Sequence, residues 1–143
     1  MTPQTRAERS AAVLWATDMA SQTLGLSLEA IGPGTAKMTL TVQEQHLNGH
    51  KTCHGGILFS LADSCFAFAC NSYNQRTVAQ DNSITYLSPA HLGETLTAHA
   101  VEAARSGRSG VYDVAVINAS GHTVALFRGL SRTLSGTLFE DPQ

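Results

Sequence analysis

The chain has 143 residues, 43% of them hydrophobic and 14% charged, with a formal net charge of −2 at pH 7. That length suits a single domain, 1–143, and the charge balance gives no basic footprint for nucleic acid. So few charges on a small protein imply that part of its surface is covered by another copy of the chain, and no apolar run approaches the roughly 20 residues of a membrane span.

Residues 1–10 are polar and lack the apolar core of a signal peptide. The cysteines, Cys53, Cys65 and Cys70, are odd in number, and the last two sit five apart on one predicted helix, facing different ways. Free thiols in a reducing compartment follow, so the expected location is cytoplasmic. A helix is expected over about 10–24, with Ser10 as N-cap, Val13, Leu14, Ala20 and Leu24 as its apolar stripe, and Gly25 just past its end. Residues 26–30 and 36–42 alternate with period two around Gly32-Pro33-Gly34, the pattern of a hairpin. A polar loop, 43–52, leads to a helix running to about Asn71.

That helix is apolar or small on nearly every face. Four strand-like segments follow, at 78–86, 94–104, 111–118 and 123–134, and a polar tail at 137–143. Strands in succession with no helix between them make an antiparallel sheet, so the class is α+β. A curved sheet wrapped around the apolar helix would hide nearly all of its faces.

Asp63 breaks the pattern. It is the one charged side chain between Lys51 and Arg76, and a carboxylate in such a helix is costly unless it binds something or does chemistry. Upstream, Gly55 and Gly56 leave backbone N–H groups bare at the helix start, where the dipole favours a developing anion. A buried carboxylate with an amide donor for an oxyanion suits acyl transfer or hydrolysis. The plainer reading is a structural carboxylate bonded to Ser60, Ser64 or a strand; the glycine pair favours the functional one. Asp63 lies eight residues beyond Gly55, about 12 Å along the axis at roughly 1.5 Å per residue. Within one chain the two cannot share a substrate. Two antiparallel copies of the helix across a two-fold axis would bring Asp63 of one to Gly55 of the other, which predicts composite sites at a dimer interface.

With Asn48-Gly49-His50, Cys53-His54-Gly55-Gly56, Leu61-Ala62-Asp63 and Ser88-Pro89 in this order, the chain resembles the hotdog-fold acyl-CoA thioesterases, PaaI-type. The resemblance spans about residues 10–136. It implies a hotdog fold, and a homodimer assembling to a homotetramer. It implies that the Gly55 amide polarises the thioester carbonyl, with Asp63 of the partner as nucleophile or general base, and Asn48 and His54 holding thioester or water. The implied substrate is phenylacetyl-CoA or a ring-hydroxylated form; coenzyme A is part of it, and no separate cofactor is expected.

Other candidates carry plainer readings beside the functional ones. His54 doubles as a cap that fixes the helix entry, and Asn48 before Gly49 is a common turn pair. Gly56 belongs to the substrate-binding set as a second amide. His46, His50 and His54 are spaced by four, but Asn48-Gly49 interrupts any helix that would align them, and no metal is expected. Cys53 beside His54 reads as a buried thiol, since adjacent side chains rarely face each other. Arg108 and Arg128 are candidates for the coenzyme A phosphates or solvated surface charges. Tyr73, Phe66 and Phe68 are candidates for acyl-pocket walls or core. Two other functions fit the layout less well. A non-catalytic acyl-CoA-binding or sensor module would not need Asp63, and a hydratase typically sets His and Asp in one short segment.

Overall fold

The computed structural model describes residues 1–142. Thr2 starts the first helix, α1 (Pro3–Thr17): its hydroxyl accepts from the Thr5 N–H at 3.0 Å, and Pro3 supplies the preset φ of a first helical residue. The helix therefore begins well before Ser10, which is buried within it rather than capping it. Its inward face is Ala7, Ser10, Ala11 and Leu14, while Val13 and Ala20 face outward. Asp18 interrupts the run. Its side chain accepts from the Ser21 N–H and caps a second helix, α2 (Met19–Leu24), which ends at Gly25 in the left-handed region.

The first hairpin is β1 (Ser27–Gly32) and β2 (Thr35–Thr41). The segment expected as plain loop contains a short 3-10 turn, Glu44–His46, capped by Gln43. The central helix α3 (Gly55–Cys70) follows, then β3 (Thr77–Tyr86), β4 (Thr95–Ser106), β5 (Ser109–Ile117) and β6 (Thr123–Thr133). The strands form one antiparallel sheet in the order β1-β2-β4-β5-β6-β3, which leaves β1 and β3 as edges.

The sheet curves around α3, burying Leu58, Leu61, Ala62, Cys65, Phe66, Phe68 and Ala69. Ring contacts tie the core across layers: Phe66 to Tyr112 at 5.6 Å and to Phe127 at 5.8 Å, and Trp15 of α1 to Phe68 at 6.2 Å. The wrapping is as expected and leaves one stripe uncovered. The sheet does not close over all of α3; Ser60, Asp63 and Ala67 stay half-buried and Gly56 exposed, at a spacing of three and four that makes one open stripe. Beyond β6, the tail is tied down rather than free. The Asn74 Oδ1 accepts from the Leu138 and Phe139 N–H groups, Arg6 pairs with Asp141, and Arg9 lies over the Phe139 ring.

Candidate active site

The two glycines at the start of α3 make room for different neighbours. A side chain on Gly55 would sit 3.1 Å from the Tyr86 ring, and one on Gly56 would sit 3.1 Å from the His54 ring. His54 uses that space to fold over the helix start, where its Nδ1 accepts from the Gly56 N–H at 2.8 Å. This bond places the imidazole proton on Nε2, so the exposed ring presents a donor. The Ile57 and Leu58 N–H groups both close on the His54 carbonyl. Of these first amides, only that of Gly55 lacks a partner among the described residues. The Gly56 amide, expected as a second substrate contact, is spent on His54. Tyr86, unflagged in the sequence, donates its hydroxyl to the Gly55 carbonyl at 2.8 Å and fixes that peptide from β3.

Asn48 holds the loop that delivers His54. Its Oδ1 accepts from the His50 and Thr52 N–H groups at 2.9 and 3.1 Å, with Lys51 at φ 63 between them. The His54 N–H then bonds the His46 carbonyl, and the Cys53 N–H bonds that of Ala90. His46 is occupied on both sides: Nδ1 accepts from the Gln43 N–H, and Nε2 lies 2.8 Å from the Leu24 carbonyl. Among the described residues no three His, Cys, Asp or Glu side chains gather as a metal site. Burial pushes the Cys53 thiol up to about 11, and the neighbouring His54 ring turns to Gly56, so no thiolate–imidazole pair forms.

Asp63 lies midway along α3, half-buried on the open stripe. Its Oδ1 accepts from the Asn82 Nδ2 of β3 at 3.0 Å, and Asn82 Oδ1 is itself buried without a partner. Burial raises this carboxyl above its ordinary value; the Asn82 bond pulls it partly back, and the nearby Asp18 carboxylate pushes it up again. The result is a carboxylate poised to take a proton. Asn82 escaped the sequence reading because nothing in an exposed edge strand marks one asparagine out.

A thioesterase superfamily model matches residues 50–125. Acyl-coenzyme A thioesterase PaaI of Escherichia coli is 43% identical over 133 residues, covering 93% of this chain and 95% of the relative. The chain belongs to the thioesterase superfamily. A solved structure of the E. coli PaaI protein from the phenylacetic acid degradation operon aligns with a TM-score of 0.93 and 42% identity, over 95% of this chain and 99% of that one. A Streptococcus mutans protein solved with acetyl-CoA bound aligns at a TM-score of 0.75 and 26% identity, over 79% of this chain and 90% of that one. The fold is the hotdog fold, and the enzyme is an acyl-CoA thioesterase of the PaaI type.

Three other residues of this thioesterase lie apart from the helix start. Tyr73 follows the far end of α3, about 22 Å from Gly55 by helical rise. Its hydroxyl bonds Glu102, which also receives Tyr112 and Arg105, and Arg105 lies over its ring at 3.7 Å. It braces the far end of α3 against β4 and β5. Arg128 is exposed and bound bidentately by Asp113, which draws that carboxyl below its usual range. Arg108 sits in the β4–β5 turn. Phe66 and Phe68 are core; Phe59, half-buried and edge-on to Phe127 at 5.4 Å, is the α3 aromatic left near the open stripe. Among the described residues no helix is long and apolar enough to cross a membrane.

Proposed function

We propose that this thioesterase hydrolyses phenylacetyl-CoA or ring-hydroxylated phenylacetyl-CoA to the free acid and coenzyme A, at sites shared between two copies of the chain. The observation that carries the composite site is the separation of its halves. An unpartnered Gly55 amide opens α3, and a proton-seeking Asp63 follows eight residues later on the same helix, about 12 Å away. Antiparallel pairing of two α3 helices supplies each amide with the other copy's carboxylate. The open stripe of Gly56, Ser60, Asp63 and Ala67 suits a close approach, and β3 offers an unpaired edge beside it.

The thioester carbonyl oxygen accepts from the Gly55 N–H, with His54 Nε2–H as a second donor and Asn48 holding substrate or water. Water bonds to the carbonyl carbon as Asp63 takes its proton, and the oxyanion forms against the Gly55 amide. Collapse breaks the C–S bond, and the coenzyme A sulfur leaves with the proton Asp63 held. The phenylacetyl group is supported by the operon of the E. coli relative and by the Phe59 ring beside the stripe. Exposed Val101, Leu126 and Leu130 on the outside of the sheet support a second interface, by which homodimers assemble to a homotetramer. Arg108, in no ion pair among the described residues, is better placed to take a coenzyme A phosphate than Arg128, which Asp113 holds.

Thiol release from acetyl-, phenylacetyl-, hydroxyphenylacetyl- and palmitoyl-CoA tests the substrate; a preference for palmitoyl-CoA defeats it. Mixing Asp63→Asn with Gly55→Pro chains tests the sharing. Proline's preset φ suits the first helical position and removes the one amide in question, with the exposed Tyr86 ring giving way to its Cβ. Each heterodimer keeps one intact site, so a statistical mixture of folded chains recovers about a quarter of full activity. Folded heterodimers with none would refute the shared site.

A further inference from the structure

Both reacting groups of α3 are gripped from one strand. The Tyr86 hydroxyl donates to the Gly55 carbonyl at 2.8 Å, and the Asn82 Nδ2 donates to the Asp63 Oδ1 at 3.0 Å. Asn82, Ile84 and Tyr86 alternate along β3 beyond its irregularity at 79–81, so they share a face, and Ile84 between them packs on the core. The spacings match. From Asn82 to Tyr86 the strand covers about 13 Å at roughly 3.3 Å per residue, and from Gly55 to Asp63 the helix covers about 12 Å.

Each grip has a feature that packing alone does not require. The peptide joining Gly55 to Gly56 is held at both edges, its carbonyl by Tyr86 and its N–H by the His54 Nδ1. Glycine is the residue freest to turn about its backbone, and the first turn has no preceding carbonyls to bond its N–H groups. The two side-chain bonds therefore steady the backbone that carries the unpartnered Gly55 N–H. Asn82, for its part, leaves its Oδ1 buried without a partner among the described residues. An orphaned acceptor is a loss of stability, and a donor aimed at Asp63 accounts for it.

We propose that β3 sets both halves of the hydrolytic site: Tyr86 is a positioning residue for the Gly55 amide, and Asn82 is one for the Asp63 carboxylate. This rests on Gly55 and Asp63 as the reacting groups. Tyr86 keeps the opening peptide of α3 in place, so the Gly55 N–H stays aimed where the oxyanion forms. Asn82 is the one side chain that bonds Asp63 among the described residues. It holds Oδ1, which leaves Oδ2 to take the proton of the attacking water. The Gly55 and Asp63 of one chain serve different composite sites, so a single β3 reaches into both.

Tyr86→Phe keeps the ring and removes the hydroxyl, while Asn82→Leu keeps the size and removes the donor. Asn82→Ala is made beside the latter, in case leucine disturbs β3. Folded variants are read in two ways. By NMR, Tyr86→Phe should shift the Gly55 and Gly56 amide resonances and leave the Asp63 carboxyl alone. Asn82→Leu should do the reverse and raise the Asp63 midpoint, since a lost donor disfavours the charged form. The second reading is kinetic, on the acyl-CoA that the panel shows to be turned over fastest. Each variant should lower kcat by about tenfold with KM unchanged, the scale of a small misplacement of a reacting group. Only the Asn82 variants should move the acid limb of the profile to higher pH. Unmoved resonances in the folded variants overturn the proposal, and so does a rise in KM with kcat held, the mark of a substrate contact. Resonances that move while kcat stays at the parent level uphold the grip of β3 and remove Gly55 and Asp63 as the reacting groups.

Discussion

His54 has two separable jobs, and two substitutions can divide them. Its Nδ1 caps α3 through the 2.8 Å bond from the Gly56 N–H, and its Nε2–H remains free on an exposed ring. His54→Ala removes both. Losing a cap costs about 1 kcal/mol, which in a domain of this size lowers Tm by about 3–4 °C. Losing a donor at the oxyanion position costs about 10²-fold in kcat. His54→Asn restores an acceptor for Gly56 but is too short to place a donor where Nε2 stood. The expected pattern is a stability deficit in the alanine variant alone and a rate deficit in both. Thermal unfolding by circular dichroism and thiol-release kinetics on the same samples provide the two readings. If asparagine recovers rate along with stability, His54 is a cap and nothing more.

Asp63→Asn should lower turnover on the order of 10²-fold or more while the protein becomes more stable at neutral pH. The folded carboxyl is raised above its unfolded value, so it favours the fold below the unfolded value, and that contribution is lost as pH rises through the folded one. The stability difference between variant and parent, measured by urea unfolding, should therefore grow from acid to neutral pH; a difference flat in pH would contradict the shift. Gly129→Ala places a methyl carbon 2.8 Å from the Phe66 ring and should cost about 1–3 kcal/mol by overpacking, read as a lower urea midpoint. Asn74→Gly keeps a residue suited to φ 59 but removes the acceptor for Leu138 and Phe139. Faster amide hydrogen exchange at those two positions is the expected result, with little change in the core strands.

The strands were legible because alternation survives wherever one face meets the core, as in β2 and β5. Helix α3 was legible from its unbroken apolar run, but its open stripe was not. Apart from Asp63, that stripe is made of glycine, serine and alanine, so little amphipathic contrast advertises it. The first helix was misread for a related reason: Ala7, Ser10 and Ala11 pack inward because small side chains fit close to the strands, while larger Val13 faces out. The Thr2-Pro3 start and the Asp18 cap are local signals that a stripe of large apolar residues does not display. At the site, the glycine pair and the lone Asp63 stood out by contrast with their neighbours. Asn82 and Tyr86 reach the same helix from β3 through sheet registry, a long-range fact without local trace.

The chain has a single tryptophan, and it sits where α1 meets the central helix, tilted against Phe68. Its emission is therefore an optical gauge of one junction rather than an average over the molecule. Loosening of α1 from the central helix would expose the indole and shift its fluorescence to the red before the sheet gave way. Stopped-flow traces at that wavelength, set beside far-ultraviolet dichroism, would say whether the amino-terminal arm and the sheet melt as one body or as two.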